Sequence, residues 1–153
     1  MSRPTAVGEP MIPRRLLVAA RAFGERLSAE RVAGAIAAGL RSGGWDADEC
    51  AIDGDEDSAD ARALVRAASF DARLRASRAV VIAEPRLCEQ ALAGTIAFEI
   101  ATRARQSGVP AYAVTGENLL NSFDARILDL QTIVSARTHR SLRTAGRKLA
   151  ELA

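Results

Sequence analysis

Short runs of consecutive apolar residues alternate with segments of helical periodicity along this chain. The clearest runs are residues 16–20 and 79–83, which contain only Leu, Val, Ile and Ala. Such a run is typical of a strand buried on both faces, because a strand with one solvated face alternates apolar and polar residues. Parallel strands need long crossover connections, which helices usually supply. The alternation therefore predicts a parallel sheet with helices on both faces.

Five strands, each followed by a helix, are predicted from this pattern. The strands are expected near residues 16–20, 49–52, 79–83, 111–115 and 132–135. The helices are expected after Ser28, over 59–76, between Pro85 and Gly108, near 122–129 and at the carboxyl terminus. Pro85 is expected to end the third strand and Gly116 the fourth, since both residue types interrupt regular structure.

The predicted fold is a three-layer α/β sandwich with a five-stranded parallel sheet. We expect a flavodoxin-like or Rossmann-like arrangement with strand order 2-1-3-4-5. Ligands of such sheets bind at the carboxyl ends of the strands, where the connections diverge. In this chain, the loops at that position hold residues 20–28 and 83–90.

The composition limits the partners and the compartment. The chain has 21 basic and 19 acidic residues, a balance that favours neither a nucleic acid nor a membrane as partner. It has no run of about 20 apolar residues. Cys50 and Cys88 lack the spacing of a metal site, so a reducing, cytoplasmic location is expected. Residues 1–13 are predicted to be a flexible leader, and residues 14–153 a single domain.

Four short motifs occur in order along the predicted elements. They are the strand at 15–20 with Phe23, Leu27 and Ser28 after it, Asp53-Gly54-Asp55-Glu56-Asp57-Ser58, Glu84-Pro85-Arg86-Leu87-Cys88-Glu89-Gln90 with Gly94, and Gly108-Val109-Pro110 with Gly116. Together they resemble the type 1 glycerate kinase family. The first three motifs of that family read P-D-x-F-K-G-x-L-S, D-G-G-E-G-T, and G-E-G-R-x-D-x-Q with a later G-K. The resemblance implies an α/β kinase domain that uses ATP and Mg²⁺.

Several positions depart from the family's pattern. The residues that replace the family's acids, lysines and glycines are Arg21, Gly24, Asp55, Asp57, Pro85, Cys88 and Thr95. The resemblance also implies a second domain at the position where this chain has only the helix near 59–76. Phosphoryl transfer depends on positioning and charge neutralisation, which these changes remove. We therefore expect a shortened glycerate-kinase-like domain with weak or no catalysis.

The ligand-binding candidates come from the loops at the carboxyl edge of the predicted sheet. They are Arg21, Ser28, Asp53, Gly54, Glu56, Glu84, Arg86, Gln90 and Gly116. One interpretation is a residual site for a small organic acid or a nucleotide, with Mg²⁺ held by Asp53 and Glu56 and with ATP as cofactor if kinase activity is retained. The other is that the acidic run 53–57 is a solvated loop before a helix N-terminus, and this one is favoured.

Other candidate residues have a functional and a structural interpretation, and the structural one is favoured for each. His139 is interpreted as a surface histidine rather than a general base, because no acid or nucleophile motif surrounds it. Cys88 is interpreted as a semi-buried thiol rather than a nucleophile. The basic residues of 137–148 are interpreted as a solvated helix face in which Glu151 can pair with Arg147, rather than as a phosphate-binding surface.

Three functions are therefore open at the level of sequence. The first is a weak or inactive kinase-like domain that binds a small anion or a nucleotide. The second is a non-enzymatic, homo-oligomeric scaffold such as a homodimer, because loss of a domain tends to expose apolar surface. The third is a partner subunit of a split kinase, in which another polypeptide supplies the missing domain.

Overall fold

The structure, a computed structural model, describes residues 14–52, 58–88 and 95–153. The strands are β1 Arg15–Ala20, β2 Asp46–Ala51, β3 Ala79–Leu87, β4 Ala111–Asn118 and β5 Leu130–Ser135. The helices are α1 Ala29–Ser42, α2 Ser58–Ala67, α3 Phe70–Arg75, α4 Ile96–Gln106, α5 Ser122–Leu128 and α6 His139–Leu152. Within these three ranges, no helix is long and apolar enough to cross a membrane. The predicted division at residue 13 stays a prediction, because residues 1–13 lie outside the described part.

The strands form one parallel sheet in the order β2-β1-β3-β4-β5. The predicted fold class and strand order are confirmed. The sheet reverses its direction of growth between β1 and β3, so the connections that follow these two strands diverge at the carboxyl edge.

The apolar runs are continuous because both faces of the central strands are buried. Along β1, Leu16 and Val18 join the core beneath α1 and α6, whereas Leu17 and Ala19 join the core on the opposite face. That second core includes Val65 of α2, Phe70 of α3 and Ile100 of α4. Each successive residue of the strand therefore meets an apolar layer.

Helices α1 and α6 pack with their backbones in close contact. Gly39 of α1 faces the backbone of Arg143, and Gly146 of α6 faces the carbonyl of Ile36. A methyl group at either glycine would overlap these backbone atoms. Farther along α6, the Nε1 of Trp45 donates a hydrogen bond to the Ala150 carbonyl at 3.0 Å. The carboxyl end of α6 is thus fixed near the amino end of β2.

Pro85 does not end β3, contrary to the sequence prediction. The Ala83 carbonyl accepts a hydrogen bond from the Arg21 N–H on the β1 side, and Pro85, two residues later, faces the same direction. Because β1 ends at Ala20, no strand needs the N–H that proline lacks. On the other side, β3 continues to pair with β4 through Leu87 and Asn118.

Two further differences concern the ends of the elements. The single helix predicted over 59–76 is divided into α2 and α3 at Ser69, whose φ of 55° is left-handed. Strand β4 continues through Gly116 to Asn118, because it pairs with the extended β3.

Candidate functional site at the carboxyl edge

A cleft of about 310 Å³ lies at the carboxyl edge of the sheet. Its lining comes from the ends of four strands and comprises Phe23, Pro85, Arg86, Gly116, Glu117 and Arg137. Arg86 and Gly116 are candidates that the sequence predicted, and the structure brings them together. The cleft is therefore at the position expected for a ligand site in a parallel sheet.

Arg21 and Glu84 form an ion pair beneath this edge. The Arg21 Nη1 lies 3.6 Å from the Glu84 Oε1, and the two side chains are 14% and 3% exposed. Glu84 lies on β3, and the Arg21 N–H donates to the Ala83 carbonyl at 3.0 Å. A guanidinium beside a buried carboxylate offsets much of the cost of burying that charge. This pair joins the loop after β1 to the end of β3, so both predicted residues have a structural role.

Arg86 and Glu117 form a second ion pair at the rim of the cleft. They occupy opposite positions on β3 and β4, and the Arg86 Nε lies 3.1 Å from the Glu117 Oε1. Their side chains are 64% and 44% exposed. Exposed pairs contribute little to stability, because water solvates both charges well. Arg86 can therefore exchange Glu117 for an anionic ligand at low cost.

Arg137 follows β5 and reaches across the cleft to β4. Its Nε donates a hydrogen bond to the Gly116 carbonyl at 2.7 Å, and its backbone N–H donates to the Ser141 Oγ at 2.9 Å. The two terminal nitrogens of this guanidinium make no hydrogen bond to any residue within the described ranges. They remain available to the solvent side of the cleft.

Gly116 has a steric role in the cleft. A Cβ atom at this position would lie 2.8 Å from the Pro85 carbonyl oxygen and 3.7 Å from the Arg137 Cγ. The absence of a side chain thus allows β3, β4 and Arg137 to approach one another.

Ser28 lies outside the lining of the cleft. It is the N-cap of α1, and its Oγ accepts a hydrogen bond from the Arg31 N–H at 3.2 Å. Thr95, where the family has a lysine, is the N-cap of α4, and its Oγ1 accepts from the Phe98 N–H at 3.2 Å. Both hydroxyls satisfy backbone donors of a helix's first turn.

Four predicted site residues lie outside the described residues: Asp53, Gly54, Glu56 and Gln90. The Mg²⁺ site at Asp53 and Glu56 therefore stays a prediction. Among residues 14–52, 58–88 and 95–153, no three His, Cys, Asp or Glu side chains are grouped to hold a metal ion. Among the described residues, the carboxylate that lines the cleft is that of Glu117, which pairs with Arg86, whereas Glu84 lies beneath the cleft and pairs with Arg21.

The remaining candidates lie apart from the cleft lining. Cys88 is half-buried just after β3 and is a free thiol. His139 is exposed at the first position of α6. The expected pair of Arg147 with Glu151 does not occur among the ion pairs of the described residues.

Sequence reasoning missed the part that Glu117 and Arg137 play in this cleft. Glu117 lies beyond the predicted end of the fourth strand, and Arg137 is one of the basic residues of 137–148 that the sequence predicts on a solvated helix face. Both residues follow the predicted carboxyl ends of strands, and that position was the available signal.

The fold is an α/β domain with a parallel sheet, and a cleft lies at the carboxyl edge of that sheet. A sequence model of the glycerate kinase family matches residues 43–152, and the chain belongs to the glycerate kinase family. The match covers the second, third and fourth motifs and confirms the suspected family. No curated protein matches the chain.

One solved structure with a similar course is that of a diflavin flavoprotein A3 from Nostoc sp.. The two sequences are 15% identical, and the alignment covers 92% of this chain and 93% of that chain with a TM-score of 0.49.

Proposed function

We propose that this chain is a glycerate-kinase-like domain with weak or no kinase activity that binds a small anion in the carboxyl-edge cleft. The observation that carries the proposal is the convergence of Arg86 and Arg137 on one cleft with Glu117 as its rim carboxylate. Because Arg21 is paired with Glu84 below, the described residues of the rim have one positive charge in excess. A small organic acid or a phosphate group is the ligand class that fits this charge.

The geometry of the arginines supports an anionic ligand. A guanidinium binds a carboxylate or a phosphate through two parallel hydrogen bonds. The bond from Arg137 to the Gly116 carbonyl fixes the direction of that side chain before a ligand arrives. A fixed donor loses less conformational entropy on binding than a mobile one. The nucleotide remains the alternative ligand, bound through its phosphates.

Positions at which the chain departs from the family's pattern support the proposal of weak or absent kinase activity. Pro85, where the family has a glycine, lies within β3, and its carbonyl faces Gly116. Thr95, where the family has a lysine, caps α4 and supplies no positive charge. Between β2 and β3, the described residues 58–78 form α2 and α3. A site with fewer phosphate contacts and no second wall loses several sources of transition-state stabilisation.

A thermal-shift titration tests this function. The ligands are D-glycerate, inorganic phosphate, ADP and ATP, each with and without Mg²⁺. We expect a saturable rise in Tm with at least one of them, because a ligand that binds the folded state stabilises it. Arg86→Ala and Arg137→Ala should abolish the rise, while Arg147→Ala on α6 should keep it. The absence of any shift at millimolar ligand would refute the anion site. Phosphorylation of glycerate by ATP with a kcat of about 1–100 per second, the usual range of kinases, would refute the claim of weak or absent catalysis.

A second candidate function, a homo-oligomeric scaffold, is supported by an apolar patch. Leu119, Phe123 and Ile127 are 48%, 66% and 36% exposed. Phe123 and Ile127 are four residues apart on α5 and therefore share a face. Sedimentation velocity tests this candidate: a dimer that dissociates in Phe123→Asp supports it, and a monomer at all concentrations excludes it.

We infer a cytoplasmic location from the cysteines. Cys50 and Cys88 are free thiols, and Cys50 is buried, as expected in a reducing compartment. Detection of the protein outside the cytoplasm by fractionation of the source cells would contradict this inference.

A further inference from the structure

The two edges of the sheet differ in charge. Among residues 14–52, 58–88 and 95–153, strand β5 pairs with β4 alone, so its other side presents the backbone donors and acceptors of an edge strand. No residue of Leu130–Ser135 is charged. Strand β2, at the opposite edge, carries Asp46, Asp48 and Glu49. Since charged side chains on an edge oppose pairing with another chain, β2 is protected and β5 is open.

The second half of β5 is regular enough to accept another strand. The pairing register with β4 shifts by one residue between Ala111 and Ala113, which places a bulge near the start of β5. Beyond it, Ile133, Val134 and Ser135 pair in step with successive residues of β4. A bulge discourages pairing only where it distorts the strand, so the later part of the edge is available.

A groove of about 420 Å³ lies between this part of β5 and α6. Val134 and Ala145 give it an apolar floor, and Ser135 and Thr144 add hydroxyl groups. Val134 packs against the core beneath α6, so the groove lies on the α6 face of the sheet. It is separate from the carboxyl-edge cleft, with which it shares no lining residue.

Two cations line the groove from α6. Arg140 and Lys148 are exposed, and neither forms an ion pair with a residue in the described ranges. They are eight residues apart, which is about 12 Å along a helix. Helix α6 runs from the carboxyl edge, where Arg137 contacts Gly116, to the amino edge, where Ala150 contacts Trp45. Its cations are therefore spaced along the length of β5.

We propose that the edge of β5 and this groove bind an extended, acidic segment of another protein, which is added to the sheet as a further strand. Main-chain hydrogen bonds to an edge strand give affinity, and alternate side chains give specificity. Side chains of the added strand that face α6 recur at every second residue, about 7 Å apart. Acidic residues four positions apart span about 13 Å, which matches the two cations. The recognised pattern is acidic, any, apolar, any, acidic, with the apolar side chain on the floor of Val134 and Ala145.

Charge favours this partner over a second copy of the chain. Antiparallel pairing of two β5 edges about a two-fold axis perpendicular to the sheet would place both α6 helices side by side on one face. Arg140 and Lys148 would then face the same cations of the other copy, and facing like charges oppose association. A nucleic acid is disfavoured because the described residues of the groove include no aromatic side chain for stacking on bases.

Fluorescence anisotropy with a labelled peptide of sequence STETVTETS tests the proposal. We expect saturable binding, and no binding of the cationic peptide STKTVTKTS. The double variant Arg140→Glu with Lys148→Glu should weaken binding about tenfold or more, because it reverses both groove charges. The matched control is Arg143→Glu with Arg147→Glu, which changes the net charge equally on residues of α6 that do not line the groove. Equal weakening by both double variants would overturn the proposal.

Amide hydrogen exchange with the same peptide tests the strand pairing independently. We expect slower exchange at amides within 133–135 when the peptide is bound, since new main-chain hydrogen bonds protect them. Unchanged exchange along β5 would overturn the proposal even if the peptide binds. Tighter binding of a single-stranded oligouridylate than of the acidic peptide, or a dimer that buries β5, would also overturn it.

Discussion

The Nε of Arg137 donates a 2.7 Å hydrogen bond to the carbonyl of Gly116, and this bond joins the connection between β5 and α6 to the last part of β4. Gly116 in turn lies against the Pro85 carbonyl of β3. Three elements thus meet at a position where one residue has no side chain. Because Arg137 fixes one wall of the carboxyl-edge cleft, the shape of the cleft depends on the size of residue 116.

Gly116→Ala should therefore impair both stability and anion binding. The new Cβ would lie 2.8 Å from the Pro85 carbonyl oxygen, so the backbone must move. We expect a loss of about 1–3 kcal/mol in the free energy of unfolding, the usual cost of overpacking. Urea denaturation measures the loss, and the thermal-shift titration should show a weaker response to the anion.

The matched control for this substitution is Gly34→Ala in α1. A Cβ there would lie 3.5 Å from the Glu49 Oε1, which is ordinary contact. Replacing a glycine inside a helix should stabilise the protein by about 0.5–1 kcal/mol. If both variants shift the free energy of unfolding in the same direction, the close approach at Gly116 is not the cause.

Glu117→Gln should strengthen anion binding. Glu117 forms the 3.1 Å ion pair with Arg86 and so competes with an anionic ligand for this guanidinium, and it adds a negative charge to the rim. The amide removes that charge while preserving the shape of the side chain, so a ligand no longer competes with a carboxylate. We expect a Kd lower by about threefold to tenfold, measured by isothermal titration calorimetry with the anion that raises Tm. Glu99→Gln, remote from the cleft, should leave this Kd unchanged, and a weaker affinity in Glu117→Gln would contradict the anion site.

Trp45→Phe should destabilise the attachment of α6. The indole N–H donates to the Ala150 carbonyl at 3.0 Å, and the ring lies beneath the guanidinium groups of Arg14 and Arg78. Phenylalanine keeps most of the apolar area but leaves that buried carbonyl without its donor. The free energy of unfolding should fall by about 1–3 kcal/mol, as measured by circular dichroism in urea. A change below about 0.3 kcal/mol would show that water replaces the indole at no cost.

The order of the elements was predictable from the sequence because each central strand is buried on both faces. An apolar run such as 79–83 indicates such a strand without any knowledge of its neighbours. The length of β3 was not predictable, because Pro85 is tolerated only where β1 has already ended beside it. That condition depends on the tertiary structure, and it produces no pattern in the sequence around Pro85.

The candidate site was predictable in position but only partly in its residues. Arg86 and Gly116 follow the motifs of the family, and both line the cleft. Arg137 contacts Gly116 across 21 positions of sequence, and a single sequence contains no signal for such a pair. Ser28 matched a family motif, yet its side chain caps α1, because serine is also a preferred N-cap residue.

The buried thiol of Cys50 should make stability depend on pH in the alkaline range. Burial raises the pKa of Cys50 above its ordinary value of 9.0; Arg73 opposes this rise, and Asp48 adds to it. Above pH 9.0, the unfolded chain loses the thiol proton while the folded chain retains it. Ionisation therefore stabilises the unfolded state but not the folded state, and the free energy of unfolding falls. The contribution of Cys50 is thus fully present below that pH and is lost as the pH rises toward the folded pKa.

The slope of stability against pH tests this linkage. We expect the free energy of unfolding to fall between about pH 8 and pH 10, and Cys50→Ala to flatten the slope, because alanine has no proton to lose. The cavity left by the sulfur lowers the free energy of unfolding by the same amount at every pH. The test therefore compares the slopes of the free energy of unfolding against pH and not its absolute values. An unchanged slope in Cys50→Ala would mean that groups other than this thiol determine the alkaline loss.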